Sequence, residues 1–209
     1  MKIKQILLSI SALALSANVN AKTLTIGIDL SGSNPLLSHE NFSYGIARYA
    51  SDEIKKLKNG DYVQVKTFGA RDNAMNLINQ RLTISRQNRA DKIAQTVSQY
   101  IRTLPKQEEV EQSSTNLVSW LEFSDGFACE QSSQILVITD GIESSSYVNG
   151  KDLVKGKKGL PTADVDLSGC TLTFYGLGAG WPPKNVKAIR KAWRKWAGEA
   201  GVTFKAIIP

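Results

Sequence analysis

Leu24 to Ser33 reads L-T-I-G-I-D-L-S-G-S, and this stretch decides how the rest of the chain is arranged. Leu24, Ile26 and Ile28 alternate with smaller residues, the pattern of a short strand with one or both faces buried. The strand ends on Asp29, and Ser31 and Ser33 follow at alternate positions. One carboxylate and two hydroxyls thus leave the carboxyl end of a strand together and aim hard oxygen atoms at one place. Such a set suits a Mg²⁺-like cation, which takes oxygen ligands and keeps several waters. It suits equally a polar turn whose Asp and Ser cap the next helix. The segment alone leaves the two readings level.

Outward from that strand, apolar periodicity alternates between helix and strand. Phe42 to Leu57 reads as an amphipathic helix, with Phe42, Ile46, Tyr49 or Ala50, Ile54 and Leu57 at helical spacing, and Lys58-Asn59-Gly60-Asp61 ends it. Tyr62 to Phe68 alternates as a second strand, and Gly69 to Asn79 is polar and turn-rich. Arg81 to Arg86 alternates again, with flanking charges that suit an exposed edge strand. Ala90, Ile93, Val97, Ile101 and Leu104 mark a helix closed by Pro105, and the polar linker Lys106 to Gln112 leads to a helix from about Thr115. Gln134 to Thr139 encloses Ile-Leu-Val-Ile, a run suited to a strand buried on both faces, and it too ends in a carboxylate, Asp140, followed by Gly141. Ile142 to Gly169 is rich in Ser, Gly and Lys and shows little period, so no element is assigned to it. Thr171 to Tyr175 is a strand running into the Gly176 to Pro183 loop. A helix from Pro183 to Glu199 and a strand from Val202 to Ile208 follow.

This alternation predicts an α/β fold: a doubly wound, mostly parallel, Rossmann-like sheet with one antiparallel edge strand and helices on both faces. Ligands bind such sheets beyond the carboxyl ends of the strands. Asp29, Ser31, Ser33, Asp140 and the Gly176 to Trp181 loop all emerge there, and right-handed crossovers bring the Thr115 region within reach.

Composition sets the remaining bounds. The chain has 209 residues, 42% hydrophobic and 22% charged, enough for one buried domain and unlike a disordered segment. Lys2 and Lys4 precede the apolar run Ile6 to Ala17, and Val19-Asn20-Ala21 offers small residues for cleavage. Residues 1–21 therefore read as a secretory signal peptide, with one domain over 22–209. No cysteine near the cut suggests a lipid anchor, and no second run approaches membrane-spanning length, so a periplasmic or secreted protein without a transmembrane anchor is expected. In an oxidising compartment the pair Cys129 and Cys170 reads as a disulfide. It lies at the end of the sheet opposite the polar residues. Loss of Lys2 and Lys4 lowers the formal charge from +7 to +5. That balance favours acidic partners only weakly, and no basic-aromatic motif points to nucleic acid. Lys184, Lys187, Arg190, Lys191, Arg194 and Lys195 crowd one surface of the last helix. They read first as a solvated outer face and second as a surface for an anionic partner.

Taken together, three separated motifs resemble the metal ion-dependent adhesion site of the von Willebrand factor type A family. Asp29-Leu30-Ser31-Gly32-Ser33 matches D-x-S-x-S, Thr115 stands where the family has a Thr at a helix start, and Asp140-Gly141 follows a buried strand. The resemblance spans Thr23 to Pro209. It implies that Ser31 and Ser33 contact a divalent metal directly, with Thr115 joining directly or through water. Asp29 and Asp140 are implied to act through bridging waters. Mg²⁺ or Mn²⁺ is the implied cofactor, and an acidic residue of a partner protein is implied to complete its shell, as Ca²⁺ would call for more ligands. Two departures stand beside the match: Asn34-Pro35 follows Ser33 where an apolar helix start is common, and Ser113-Ser114 precede Thr115 where glycines are common.

These features weigh most towards a binding module, with His39, Glu143 and Trp181 on the rim of the metal. Trp181 is either a contact aromatic or a core-facing residue closing its loop. A metal-dependent hydrolase is the alternative from another class; it needs a general base, for which His39 and Glu143 are the candidates. No nucleophile elbow or P-loop supports it, so an enzyme is not expected. A third alternative is a scaffold in an envelope, secretion or transfer assembly, where the metal only fixes loops.

Overall fold

The computed structural model describes residues 21–70, 78–107, 110–124, 126–129 and 133–208. The signal-peptide reading falls outside these for residues 1–20, as do most of the polar stretch 69–79 and residues 108–109 of the polar linker. Six strands form one sheet in the order β3-β2-β1-β4-β5-β6. They are β1 (Thr23–Asp29), β2 (Tyr62–Phe68), β3 (Asn79–Thr83), β4 (Gln134–Ile138), β5 (Thr171–Tyr175) and β6 (Thr203–Ile207). All neighbours are parallel except β3, which runs antiparallel to β2 at the edge. The expected α/β architecture is present.

The apolar pattern explains the two layers of helices. Leu24, Ile26 and Ile28 of β1, with Leu136 and Ile138 of β4, face a core built by α1 (Glu40–Lys55) and α2 (Ala90–Thr103). Ile135 and Val137 of β4, with Leu172 and Phe174 of β5, face the opposite core. That core is closed by α3 (Leu117–Phe123) and by Trp193 and Trp196 of α5 (Pro183–Glu199). Successive residues of β4 thus feed two cores, which is why its sequence is continuously apolar. On the second face β1 presents Gly27, where a Cβ would stand 2.5 Å from Cη2 of Trp120. That ring stacks on Phe68 at a centroid distance of 4.8 Å, so the glycine makes room for an aromatic pair.

Element boundaries differ from the sequence expectation where tertiary pairing intervenes. The edge strand is Asn79–Thr83 rather than 81–86, because its register with β2 runs from Lys66↔Asn79 to Tyr62↔Thr83 and ends with its partner. Ile84 then turns into the core, and Ser85 to Asn88 form a tight turn. Pro105 does not stop the chain's helical path abruptly; it sits inside a 3₁₀ turn, Leu104–Lys106, that extends α2. The unassigned segment 142–169 contains α4 (Gly150–Val154), whose first turn is capped by Asn149 Oδ1 accepting from Lys151 N–H at 2.9 Å.

Cys129 and Cys170 form a disulfide with Cα atoms 4.6 Å apart. Cys170 immediately precedes β5, and Cys129 lies shortly before β4, its neighbour in the sheet. The bridge ties the amino end of this pair, far from the polar edge. Among the described residues no helix is long and apolar enough to cross a membrane.

Candidate metal centre

The strand order creates the site. From β1 the chain winds outward to β2 and β3, then returns to β4 and winds the other way through β5 and β6. Helices leave the sheet in opposite directions on the two sides of that reversal, which opens a crevice at the carboxyl ends of β1 and β4. Ile28 pairs with Ile138 across it. Asp29 follows one of these residues directly, and Thr139 and Asp140 follow the other. The two carboxylates therefore flank the crevice by register alone.

Both are fully buried, at 0% exposure. Asp29 Oδ1 accepts from Ser31 N–H at 2.9 Å, and Oδ2 accepts from the Thr139 hydroxyl at 2.7 Å. Thr139 Oγ1 in turn accepts from Gly141 N–H at 2.9 Å. Asp140 Oδ1 accepts from Ile142 N–H at 3.0 Å, while Oδ2 is buried with no hydrogen-bond partner among the described residues. Gly141 has φ of +76°, and a Cβ there would meet Leu177 at 2.5 Å, so an Asp-Gly pair is what this turn accepts.

Burial raises the Asp29 carboxyl above the usual carboxylate range, and the neighbouring Asp140 raises it further; Thr139 and Ser31 partly offset both effects. Asp140 is also raised, chiefly by burial. Ile142 N–H, the Ser33 hydroxyl and the Trp181 indole pull it back, the last two lying close enough to favour the charge without closing a hydrogen bond on Oδ2. Two desolvated carboxylates thus stand together with one oxygen unpartnered. Ser31 Oγ and Ser33 Oγ are 3.4 Å apart beside them, Ser31 buried and Ser33 exposed.

The third predicted segment reaches the same edge by a different route. Thr115 is buried, but it precedes α3 rather than opening it, because its N–H and C=O pair with Ser144 at 3.1 and 3.0 Å. Gln112 accepts from Gly32 N–H at 3.0 Å and donates to Leu30 C=O at 2.7 Å, which lays residues 112–115 alongside the Asp29 to Ser33 turn. The hydroxyl-bearing turn, the Thr115 bridge and the Asp140 turn are thereby joined by backbone hydrogen bonds.

The rim residues divide. His39 is exposed, with Nδ1 2.7 Å from the Ser38 hydroxyl at the start of α1. Trp181 is 39% exposed and stands beside Asp140. Glu143 is instead fully buried: Oε2 accepts from Val118 N–H at 3.0 Å at the start of α3, and Oε1 has no hydrogen-bond partner among the described residues. Burial pushes its carboxyl up to about 7, against Ser145, Val118 and Leu117, which favour the charge.

Two participants are absent from the sequence expectation. Asn34 is fully buried; its Nδ2 donates to Asp29 C=O at 2.7 Å and to Ile138 C=O at 3.1 Å, and Oδ1 accepts from Leu36 N–H. The departure from the family pattern at this position is thus the clamp that holds β1 and β4 at the crevice. Thr139 is the second, and its hydroxyl between a buried strand and Asp-Gly was the available signal.

The residues present fit a hard divalent cation. Hydroxyls and carboxylates supply only oxygen, and Asp140 Oδ2 is a buried acceptor that closes no hydrogen bond among the described residues. Among the described residues there is no cluster of three or more His, Cys, Asp or Glu suited to a metal, so hydroxyl groups would have to complete the donor set. No protein-family model and no curated protein matches the chain.

Proposed function

We propose that this chain is an exported binding module of the von Willebrand factor type A kind. It holds Mg²⁺ or Mn²⁺ at the β1–β4 crevice and grips a partner protein through an acidic side chain, as part of an envelope, secretion or transfer assembly. Ser31, Ser33 and Thr115 offer hydroxyl oxygens to the ion. Asp29, with both oxygens already engaged, acts on it through water, and Asp140 presents its unpartnered oxygen. The bound ion supplies a positive centre with exchangeable waters, one of which a carboxylate of the partner replaces. The observation that carries this reading is the buried Asp29–Asp140 pair with Asp140 Oδ2 unpartnered. Like charges out of water oppose each other, so the metal-free pair holds a proton more readily than ordinary carboxylates do, and a cation would take that proton's place. The disulfide accords with an oxidising compartment.

Titration calorimetry with Mg²⁺ and Mn²⁺, beside thermal unfolding with and without chelator, tests the proposal. Asp140→Asn removes one charge of the pair, so it should raise the stability of the metal-free protein while abolishing both the heat of binding and the stabilisation by Mg²⁺. A wild-type protein that releases no heat and unfolds at the same temperature with Mg²⁺ and with chelator overturns it.

A further inference from the structure

A groove of about 1110 Å³ opens beside the crevice, between the turn that follows Ser33 and the stretch of α5 from Pro183 to Arg194. Phe42, Val186 and Ile208 line it with apolar surface, and the exposed Trp181 forms one lip. Its charged lining is of one sign: Lys187, Arg190, Lys191 and Arg194, with no Asp or Glu among the described lining residues. None of these four cations makes an ion pair among the described residues, whereas the adjacent Lys195 pairs with Glu199 at 3.5 Å. Arg190 Nε, behind the guanidinium, is buried without an acceptor among the described residues.

The spacing of the four cations describes their occupant. Positions 187, 190, 191 and 194 form one stripe on the helix and span roughly 10 Å of its axis. An extended peptide covers that length in about three to four residues, with alternate side chains on one side. Acidic residues at alternate positions would face the α5 stripe, and the apolar residues between them would face Phe42, Val186 and Trp181. A concave groove with apolar and basic walls suits such a segment, whereas the two exposed large apolar residues that line it, Trp181 and Ile208, are few for insertion into a membrane. Cations confined to two helical turns are too few to track a nucleic-acid backbone.

We infer that this groove docks an extended acidic segment of the partner, in which carboxylates alternate with apolar or aromatic residues. The inference deepens the proposed function by naming the partner's chemistry, but the groove's charges act whether or not a metal is bound.

The probe is a fluorescein-labelled peptide in which Glu and Asp alternate with Phe and Val, beside its Gln and Asn counterpart, measured by anisotropy in chelator and in Mg²⁺. The acidic peptide should bind in both conditions, and its amide counterpart about tenfold more weakly or worse. Lys187→Glu with Lys191→Glu should weaken binding about tenfold or more, since like charges then face the peptide. The exposed pair Lys55→Glu with Lys92→Glu, off the groove, should stay within about twofold. Trp181→Ala should weaken binding in both conditions. Equal binding of the amide peptide, or an unchanged affinity after charge reversal in the groove, overturns the inference. So does tighter binding to anionic vesicles or a single-stranded oligonucleotide that responds to the same substitutions. Calorimetry separates the two ideas. If Mg²⁺ fails to bind while the groove variants behave as expected, the metal reading fails and the groove stands. If Asp140→Asn abolishes Mg²⁺ binding while charge reversal does nothing to the peptide, the groove alone fails.

Discussion

Replacing Glu143 by Gln should remove a pH dependence that the fold carries at neutral pH. The folded protein holds this carboxyl at about 7, above its ordinary value of 4.5, because burial strips it of water. In the unfolded chain it ionises near its ordinary value. Between these two pH values the folded state keeps a proton that the unfolded state has lost. Stability is therefore fully present below about 4.5, falls as pH rises through the window, and levels off above about 7. The width of that window corresponds to a loss on the order of 3 kcal/mol. Gln keeps a carbonyl oxygen for Val118 N–H at the start of α3 and cannot ionise.

The measurement is urea denaturation of both proteins at a series of pH values in chelator. Asp29 and Asp140 titrate alike in the two proteins and cancel in the difference. Glu143→Gln should gain stability relative to wild type progressively from pH 4.5 to pH 8, by on the order of 3 kcal/mol, with most of the gain below about pH 7. A difference that stays flat across the series, or that grows towards acid, refutes the reasoning, because it would mean that the folded protein holds Glu143 ionised at no cost.

Two further outcomes concern the scaffold. Asn34→Ala leaves Asp29 C=O and Ile138 C=O without their donor in a dry site. It should cost about 3 kcal/mol by denaturant titration, while Asn34→Asp, which sets a carboxylate against two carbonyls, should cost more. Cys129→Ala with Cys170→Ala opens a loop of 41 residues' separation, worth about 4 kcal/mol in the chain-entropy model, and should lower the melting temperature by roughly 8–16 °C without altering Mg²⁺ binding.

The sheet was legible because its signals are local. Alternation in Leu24 to Ile28, the unbroken run Ile135 to Ile138, and the Gly or Asp that ends each segment all follow from strand geometry, and the parallel order follows from the helices between them. Segments shaped by distant partners were not legible. Nothing near Thr115 announces that Ser144 will take its backbone groups, so a helix expected there starts two residues later. Glu143 stands in a Ser-rich stretch that reads as exposed. It is buried because its carboxyl occupies the start of α3, an element distant in sequence. Asn34 looked like a flaw in a motif, since its role lies in two carbonyls on separate strands that come together only in the sheet. Of the site, the carboxylates and hydroxyls could be named from the sequence, but the hydrogen bonds that orient them could not.

The charges at this edge are arranged in opposition, and that arrangement bears on how the proposed module would work. The crevice holds two buried carboxylates with raised pKa values, and the groove beside it carries four cations without ion-pair partners among the described residues. An acidic segment drawn by the α5 stripe meets like charge at Asp29 and Asp140 unless a divalent cation intervenes. On the proposed reading the ion reverses the sign of the crevice, so that groove and crevice attract the same ligand. The two contributions then differ in their response to salt: cations on the open helix face are screened within a Debye length, whereas a carboxylate on a desolvated metal is screened far less. Raising ionic strength in Mg²⁺ should therefore weaken the acidic peptide only down to a floor set by the metal, and in chelator should abolish its binding. Parallel loss in the two conditions would mean that the metal contributes nothing to the grip.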